Sequence, residues 1–461
     1  MSPMHPSAPP LLGRIQGCLL GLAVGDALGA PLQGMKAGRI LQIYGRVDDY
    51  VEADQAWAKR PGRWTPRGLH ASHTQLALAL GDSLLAGDDP AEGFRTALLR
   101  LAGQGKGPYG CLRALSPAIR AAIRALRDPG QSRPESMCDP APAVFIVLLG
   151  IRHAAAEAGD LIAQAAAVVR TITSDMRAAA AAVAVAEAVR RALRGEWDAG
   201  DCGPVAVRSL AAWTREAETR MAETDPAKQL AAASAARHAV SDTLGVIAGL
   251  LREGNDDLAR RSVAAEAARH EPESPLDDPQ APFAPANVAW ALYLALRARQ
   301  LDSAIAQALA GGRETSAIAA LAGAVLGARL GLGAIPAAWR DGLLARGLIE
   351  RRATAYAESD PSALYQEDLA NAESEWTRLE SEGRAIRFAA LAESESRRQE
   401  RREARRKPKK PAAPAAPPST YARPASTILQ AVDPEEARKW KALRGRKRIE
   451  WKEERRGKKR R

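Results

Sequence analysis

Four glycines, Gly17, Gly21, Gly25 and Gly29, stand at every fourth position of the apolar run Gly17–Pro31. Residues four apart share one face of a helix. The run therefore predicts a helix with a bare stripe, along which another helix can pack closely. Asp26 carries a carboxylate into that apolar setting, and on its own it reads as a capping acid of a buried helix. The rest of the composition supplies helical partners: 46% of the 461 residues are hydrophobic, mostly Ala and Leu, and only 4% are aromatic. Alanine is the strongest helix former, whereas the β-formers Val, Ile, Tyr and Phe are sparse. These features predict an all-α protein with a sizeable core.

Apolar residues recur at helical spacing over Thr74–Leu85, Pro90–Leu101, Asn287–Arg299 and Ser316–Leu330. Ser174–Leu193 predicts a long Ala-rich helix, with Ser174 or Asp175 as N-cap and Gly195 just past its end. Five prolines make His270–Pro285 a loop. Beyond Arg352 the chain turns polar. Ser362–Arg406 predicts a charged helix, lying on the body or projecting from it, anchored by Trp376, Leu379, Ile386 and Leu391. Lys407–Pro418 is a Pro/Ala linker that should be extended, and Asp433-Pro434-Glu435-Glu436 opens a basic helix. The expected domains are a compact multi-helix domain at 11–355, a charged helical extension at 356–406, and a disordered linker and basic tail at 407–461.

The longest uncharged apolar stretch, Ala317–Ala328, is far below the ~18 residues of a membrane span. Met1–Pro10 is polar and Pro-rich, unlike a signal peptide. Cys18, Cys111, Cys138 and Cys202 lie far apart without a CxxC or His pairing, which fits a reducing cytoplasm.

The formal charge of +12 is unevenly held. Residues 397–461 carry 24 Lys and Arg against 8 Asp and Glu, a net +16, while residues 1–396 carry a net −4. Nucleic-acid contact argued from charge is therefore confined to the tail. Arg397–Lys410 and Arg438–Arg461 offer phosphate contacts, with Trp440 and Trp451 for stacking or for docking on a protein. Few aliphatics accompany them, so no membrane contact is expected. The plainer role for the tail is a solvated extension that aids solubility.

The string Gly17–Pro31 closely resembles the opening of the ADP-ribosylglycohydrolase family, and other segments resemble that family in order. Gly103–Leu115 resembles its Gly-rich loop before a helix, and Ile172–Ala178 its Thr-His-x-Asp-x-x-Ala segment. Gly311–Gly327 resembles its C-terminal signature, followed by Ile335–Trp339 as Ile-Pro-x-x-Trp. The likeness runs over residues 11–352. It implies a compact all-α domain whose central cleft holds two Mg²⁺ or Mn²⁺ and cleaves the N- or O-glycosidic bond between ADP-ribose and a protein side chain. It also implies that Asp26, His73, Thr74, Gly105, Gly107 and Thr315 converge in one substrate-binding pocket.

The metal motifs depart from the family pattern. Ala71-Ser72-His73-Thr74 stands where the family has Thr-Asp-Asp-Thr. The second motif, Gly-Gly-Asp-x-Asp-Thr, aligns with Glu314, Thr315, Ser316 and Ala317 when anchored on Ala322-Gly323-Ala324. Aligned from Gly311-Gly312, it puts Arg313 and Thr315 at the two acid positions. Gln33 replaces an acid that commonly follows the family's Gly-Asp-Ala-Leu-Gly. Pro134–Asp139 replaces its Asn-Gly-Ala-Ala-Met-Arg loop, and Thr173 its His.

Two divalent ions bring four positive charges, which carboxylates normally offset. Here Asp26 and Glu314 are the candidate acids. His73 beside Glu314 could ligate one softer ion, but poorly. Otherwise His73 is a cleft or surface histidine and Glu314 a helix N-terminal charge. The expectation is a pseudoenzyme: dinuclear-metal hydrolysis impaired or lost, no metal cofactor, and a cleft kept for ADP-ribose or a related nucleotide. Two alternatives stay open. One is an active hydrolase with Mg²⁺ or Mn²⁺ at an altered site built from Asp26, His73 and Glu314, with Asp26 and Glu314 as candidate catalytic residues. The other is a nucleic-acid-associated scaffold acting through residues 397–461.

Overall fold

The computed structural model describes residues 9–406 apart from 129, 131–136, 156–158, 199–202, 225–236 and 272–275. The expectations for 407–461, linker and basic helix alike, lie outside the described residues. Among the described residues every regular element is helical, and the protein is all-α. The helices that build the site and its support are α1 (Leu11–Gly29), α2 (Ser72–Leu85), α3 (Met176–Leu193), α4 (Ala239–Glu253), α5 (Asp256–Ala268), α6 (Thr315–Leu330) and α7 (Leu369–Arg406). The chain divides into a compact unit, Met1–Arg397, and a second unit, Arg398–Arg461.

Local chemistry sets the helix ends. Asp175 caps α3 by accepting the Arg177 N–H, and Gly195 turns the chain away at φ +75°. Asp89 caps the helix Pro90–Gly103 through the N–H groups of Ala91 and Glu92. The proline-rich loop ends at Phe283 rather than Pro285. A proline in the first turn of a helix lacks only an N–H that had no partner there, so Pro285 sits inside the helix Ala284–Arg297.

The glycine stripe of α1 meets α6 along four successive contacts. A Cβ on Gly21 would stand 2.2 Å from the Gly323 carbonyl oxygen, and one on Gly25 would stand 2.2 Å from that of Ala319. Gly17 faces Gly327, and Gly29 faces Ser316, just as closely. The two backbones touch, and nearly every residue of both helices is buried. In an open helix Gly→Ala stabilises by about 1 kcal/mol. Gly21→Ala should instead cost about 1–3 kcal/mol through overpacking. Urea unfolding reads this as a lowered midpoint, and an unchanged or raised one would show that the backbones have room to spare.

Leu11–Leu32 is long and apolar enough to cross a membrane, contrary to what Ala317–Ala328 alone suggested, but 89% of its apolar window is buried in the protein. Its Arg14 is satisfied internally, pairing with Asp198 and donating to the carbonyl oxygens of Ala192 and Arg329.

α7 also differs from its expected anchoring. Leu379 and Ile386 are exposed, and the helix instead buries a polar stripe that includes Glu373, Glu380 and Gly383. Of the expected anchors, Trp376 packs on the core. Gly383 leaves room for the Trp64 ring, on which Arg387 stacks at 3.8 Å while pairing with Asp54. Residues 356–397 belong to the same compact unit as the helices before them.

Candidate functional site

Because α1 and α6 touch, Asp26 near the end of one lies beside Thr315 and Ser316 at the start of the other. The first turn of α2 completes the cluster. Asp26 Oδ2 accepts the N–H groups of Ala71 (2.9 Å) and Thr74 (3.0 Å) and the Thr74 hydroxyl (2.8 Å). Oδ1 accepts the Ser316 hydroxyl and His73 Nδ1–H at 3.1 Å. A carboxylate offers about four lone-pair sites, and five donors fill them. Asp26 is a capping acid, as its chemistry suggested, but it caps the neighbouring helix α2.

Burial alone would raise the Asp26 pKa. The hydrogen bonds and charge of His73, together with the Ser316 hydroxyl, outweigh burial and hold the carboxyl well below its usual range. Burial would lower the His73 pKa, but Asp26 and the charges of Glu314 and Asp139 lift it above 6.5. Nδ1 is also 3.0 Å from Ser316 Oγ. With Nδ1 engaged on both sides, Nε2 is the ring atom left for a ligand.

Above this cluster opens a cleft of about 590 Å³, lined by His73, Ser316, Gln33, Glu314 and Asp139, with Arg63, Arg120 and Arg384 among its walls. The size suits a small-molecule ligand. Glu314 accepts a 2.7 Å hydrogen bond from Gln33 Nε2. Its pKa is raised chiefly by burial and further by Asp139, against the lowering effects of Gln33 and His73. Ala114 in the wall and Arg313 beside Glu314 hold positive φ (47° and 57°). Such strain costs on the order of 1–3 kcal/mol per residue and collects at functional sites.

Of the six residues expected to bind substrate, only His73 lines this cleft. Asp26, Thr74 and Thr315 are sealed beneath it, Thr315 donating to the Gly29 carbonyl oxygen at 2.9 Å. Gly105 and Gly107 are exposed in a turn away from the cleft, where Gly105 adopts φ +102°. These glycines serve the turn, and the wall is built by Tyr109 and residues 112–117, C-terminal to it.

α7 was missing from the expected site. Glu373, fully buried, accepts from Arg113 (2.7 Å), His70 (2.9 Å) and Gln75 (2.9 Å), and so fixes the wall segment that carries Arg113. Two turns and then three turns further along the helix, Glu380 and Arg384 line the cleft, paired at 2.8 Å. A Glu/Arg-rich helix reads as a solvated one. The usable signal was Gly383, a poor helix former in a long helix.

Burial would raise the Glu373 pKa, but the charges of Arg113 and His70 and their hydrogen bonds bring it from 4.5 down to about 2. Its contribution to stability is full above the ordinary value and is lost as pH falls toward 2. His73 acts oppositely: its contribution is full below 6.5 and is lost as pH rises through its raised value. Urea midpoints measured across pH should therefore fall at both ends. Glu373→Gln should flatten the acid limb and His73→Gln the alkaline one, and parallel curves for wild type and variants would refute both assignments.

Residues 7–376 match the model of the ADP-ribosylglycohydrolase family. The chain belongs to that family. Similarity to a solved structure described as an ADP-ribosylglycohydrolase-related protein complex covers 76% of this chain and 99% of the other, with TM-score 0.51 and 24% identity, a likeness of fold. An uncharacterized protein of Archaeoglobus fulgidus is 36% identical over 72 residues, which are 16% of this chain and 21% of the relative. The chain thus matches about a fifth of that curated relative's length.

The family's pair of divalent ions does not fit these residues. Asp26 is saturated by protein donors, and His73 and Ser316 hydrogen-bond directly to it and to each other. The cleft acids Glu314, Asp139 and Glu380, the last paired with Arg384, fall short of the oxygen-rich shells that two hard cations require.

Proposed function

We propose that the cleft binds ADP-ribose or a related nucleotide and that dinuclear-metal hydrolysis is impaired or lost. The saturated Asp26 carries this reading: the one acid retained from the family's opening motif is committed to capping α2 and bonding His73 and Ser316. In place of metal charge the cleft offers a His73 imidazole with a raised pKa and the guanidinium groups of Arg63 and Arg120, Arg384 being paired with Glu380. These suit a pyrophosphate, and Tyr109 offers a face for a base. A cytoplasmic setting, where such nucleotides occur, is part of the proposal.

Calorimetry tests it directly. ADP-ribose should bind with the same affinity in EDTA as in excess Mg²⁺, and neither Mg²⁺ nor Mn²⁺ should show two tight sites. His73→Ala should weaken ADP-ribose about 10- to 100-fold, the size of one charged hydrogen bond. Two tight metal sites, or metal-dependent release of ADP-ribose from a modified protein, would reject the reading.

The division of charge supports a second activity, contact with nucleic acid through residues 397–461, which hold a net +16 against −4 for the rest.

A further inference from the structure

We propose that Asp242, Glu266 and His270 form a binding site for one divalent cation of the zinc type, separate from the cleft. Asp242 lies in the first turn of α4, Glu266 in the last turn of α5, and His270 one turn beyond Glu266. Each offers a ligand atom within 4.8 Å of the others. None of the three lines the cleft.

The spacing suits an ion held between the groups. His270 Nε2 is 3.5 Å from Asp242 Oδ2 and 3.7 Å from Glu266 Oε1. A charge-assisted N–H···O bond closes to about 2.7–2.9 Å. Ligands held tetrahedrally at about 2.0–2.1 Å from zinc stand about 3.3 Å apart. His270 is thus set off from each carboxylate by close to the width a small tetrahedral ion needs, and the three ligand atoms lie within 4.8 Å of one another.

Glu266 pairs with Arg269 at 3.2 Å through Oε2, the oxygen other than the one beside His270. Asp242 gives its other oxygen, Oδ1, to Arg215, which orients the carboxylate and leaves Oδ2 turned to His270. Asp242 and Glu266 line an open depression of about 540 Å³, so an ion and a fourth, water ligand have access. A second imidazole, His238, lies near enough to feel the charges of both Asp242 and His270. One imidazole with two carboxylates suits zinc, whereas Mg²⁺ and Ca²⁺ demand six or more oxygens. Bound there, the ion would join the start of α4 to the end of α5.

The test is calorimetric titration of the EDTA-treated full chain with Zn²⁺ and, separately, Mg²⁺, followed by thermal unfolding. One zinc site is expected and no magnesium site. It should weaken at least tenfold in both Glu266→Gln and His270→Ala, and zinc should raise the Tm of wild type but not of Glu266→Gln. Glu266 is partly exposed, so its isosteric variant keeps the test decisive if His270→Ala does not fold. His73→Ala should bind zinc like wild type. Absence of binding, unchanged binding in Glu266→Gln, or loss of zinc in His73→Ala would overturn the proposal, the last by placing the ion in the cleft.

Discussion

Asp26→Ala should lower the unfolding free energy by about 3–5 kcal/mol, the usual cost of removing one partner from a buried charge pair. Three separate losses combine. The N–H groups of Ala71 and Thr74 lose their acceptor at the start of α2. The Ser316 and Thr74 hydroxyls lose theirs. The His73 ring is left buried without the carboxylate that lifts its pKa. Asp26→Asn keeps one oxygen acceptor, so it should fall between alanine and wild type. Urea unfolding decides between roles: if Asp26 were an open ligand or base rather than a filled structural acceptor, both variants would unfold near the wild-type midpoint.

Affinity for nucleic acid should fall by roughly 10³–10⁵ between 50 and 200 mM salt, if some six to ten cations of the tail contact phosphates. Residues 397–461 offer 24 Lys and Arg, more than enough for that number. Little base specificity is expected, because charge and two stacking tryptophans follow a backbone without reading base edges. Binding of a duplex and of a single strand to the full chain and to a 1–396 truncation is the measurement. Equal affinity of the full and truncated chains would reject the assignment to the tail. Absence of binding by both would make the tail a solvated or protein-binding extension.

Most of the helical frame was legible because its signals are local. The Asp175 cap and Gly195 stop bracket α3, and the four-residue glycine spacing marks α1. The meeting of Asp26 with His73, Thr74 and Thr315 was legible only through family resemblance, since nothing local joins residues some 45 to 290 positions apart. Which of these face a ligand was not legible. In the sequence Asp26 reads as a capping acid on its own and as a candidate catalytic acid through the resemblance, and only the set of donors around it shows that its lone pairs are spent. The share of α7 in the cleft was hidden for a related reason. Charge patterning assigns Glu and Arg to solvent, while Glu373 is buried because Arg113 and His70 reach it from segments 260 and 303 residues away.

The contact between α1 and α6 also bears on how such a protein diverges. Their separation is set by main chain against main chain, at Gly21 with Gly323 and Gly25 with Ala319. At the ligand end the Ser316 hydroxyl on Asp26 and the Thr315 hydroxyl on the Gly29 carbonyl oxygen add to that contact. His73 stands on α2, outside this pair of helices, so a change there leaves the main-chain contact itself untouched. Point mutation can therefore alter side chains carried by other helices around the cleft while the spacing of α1 and α6 is kept.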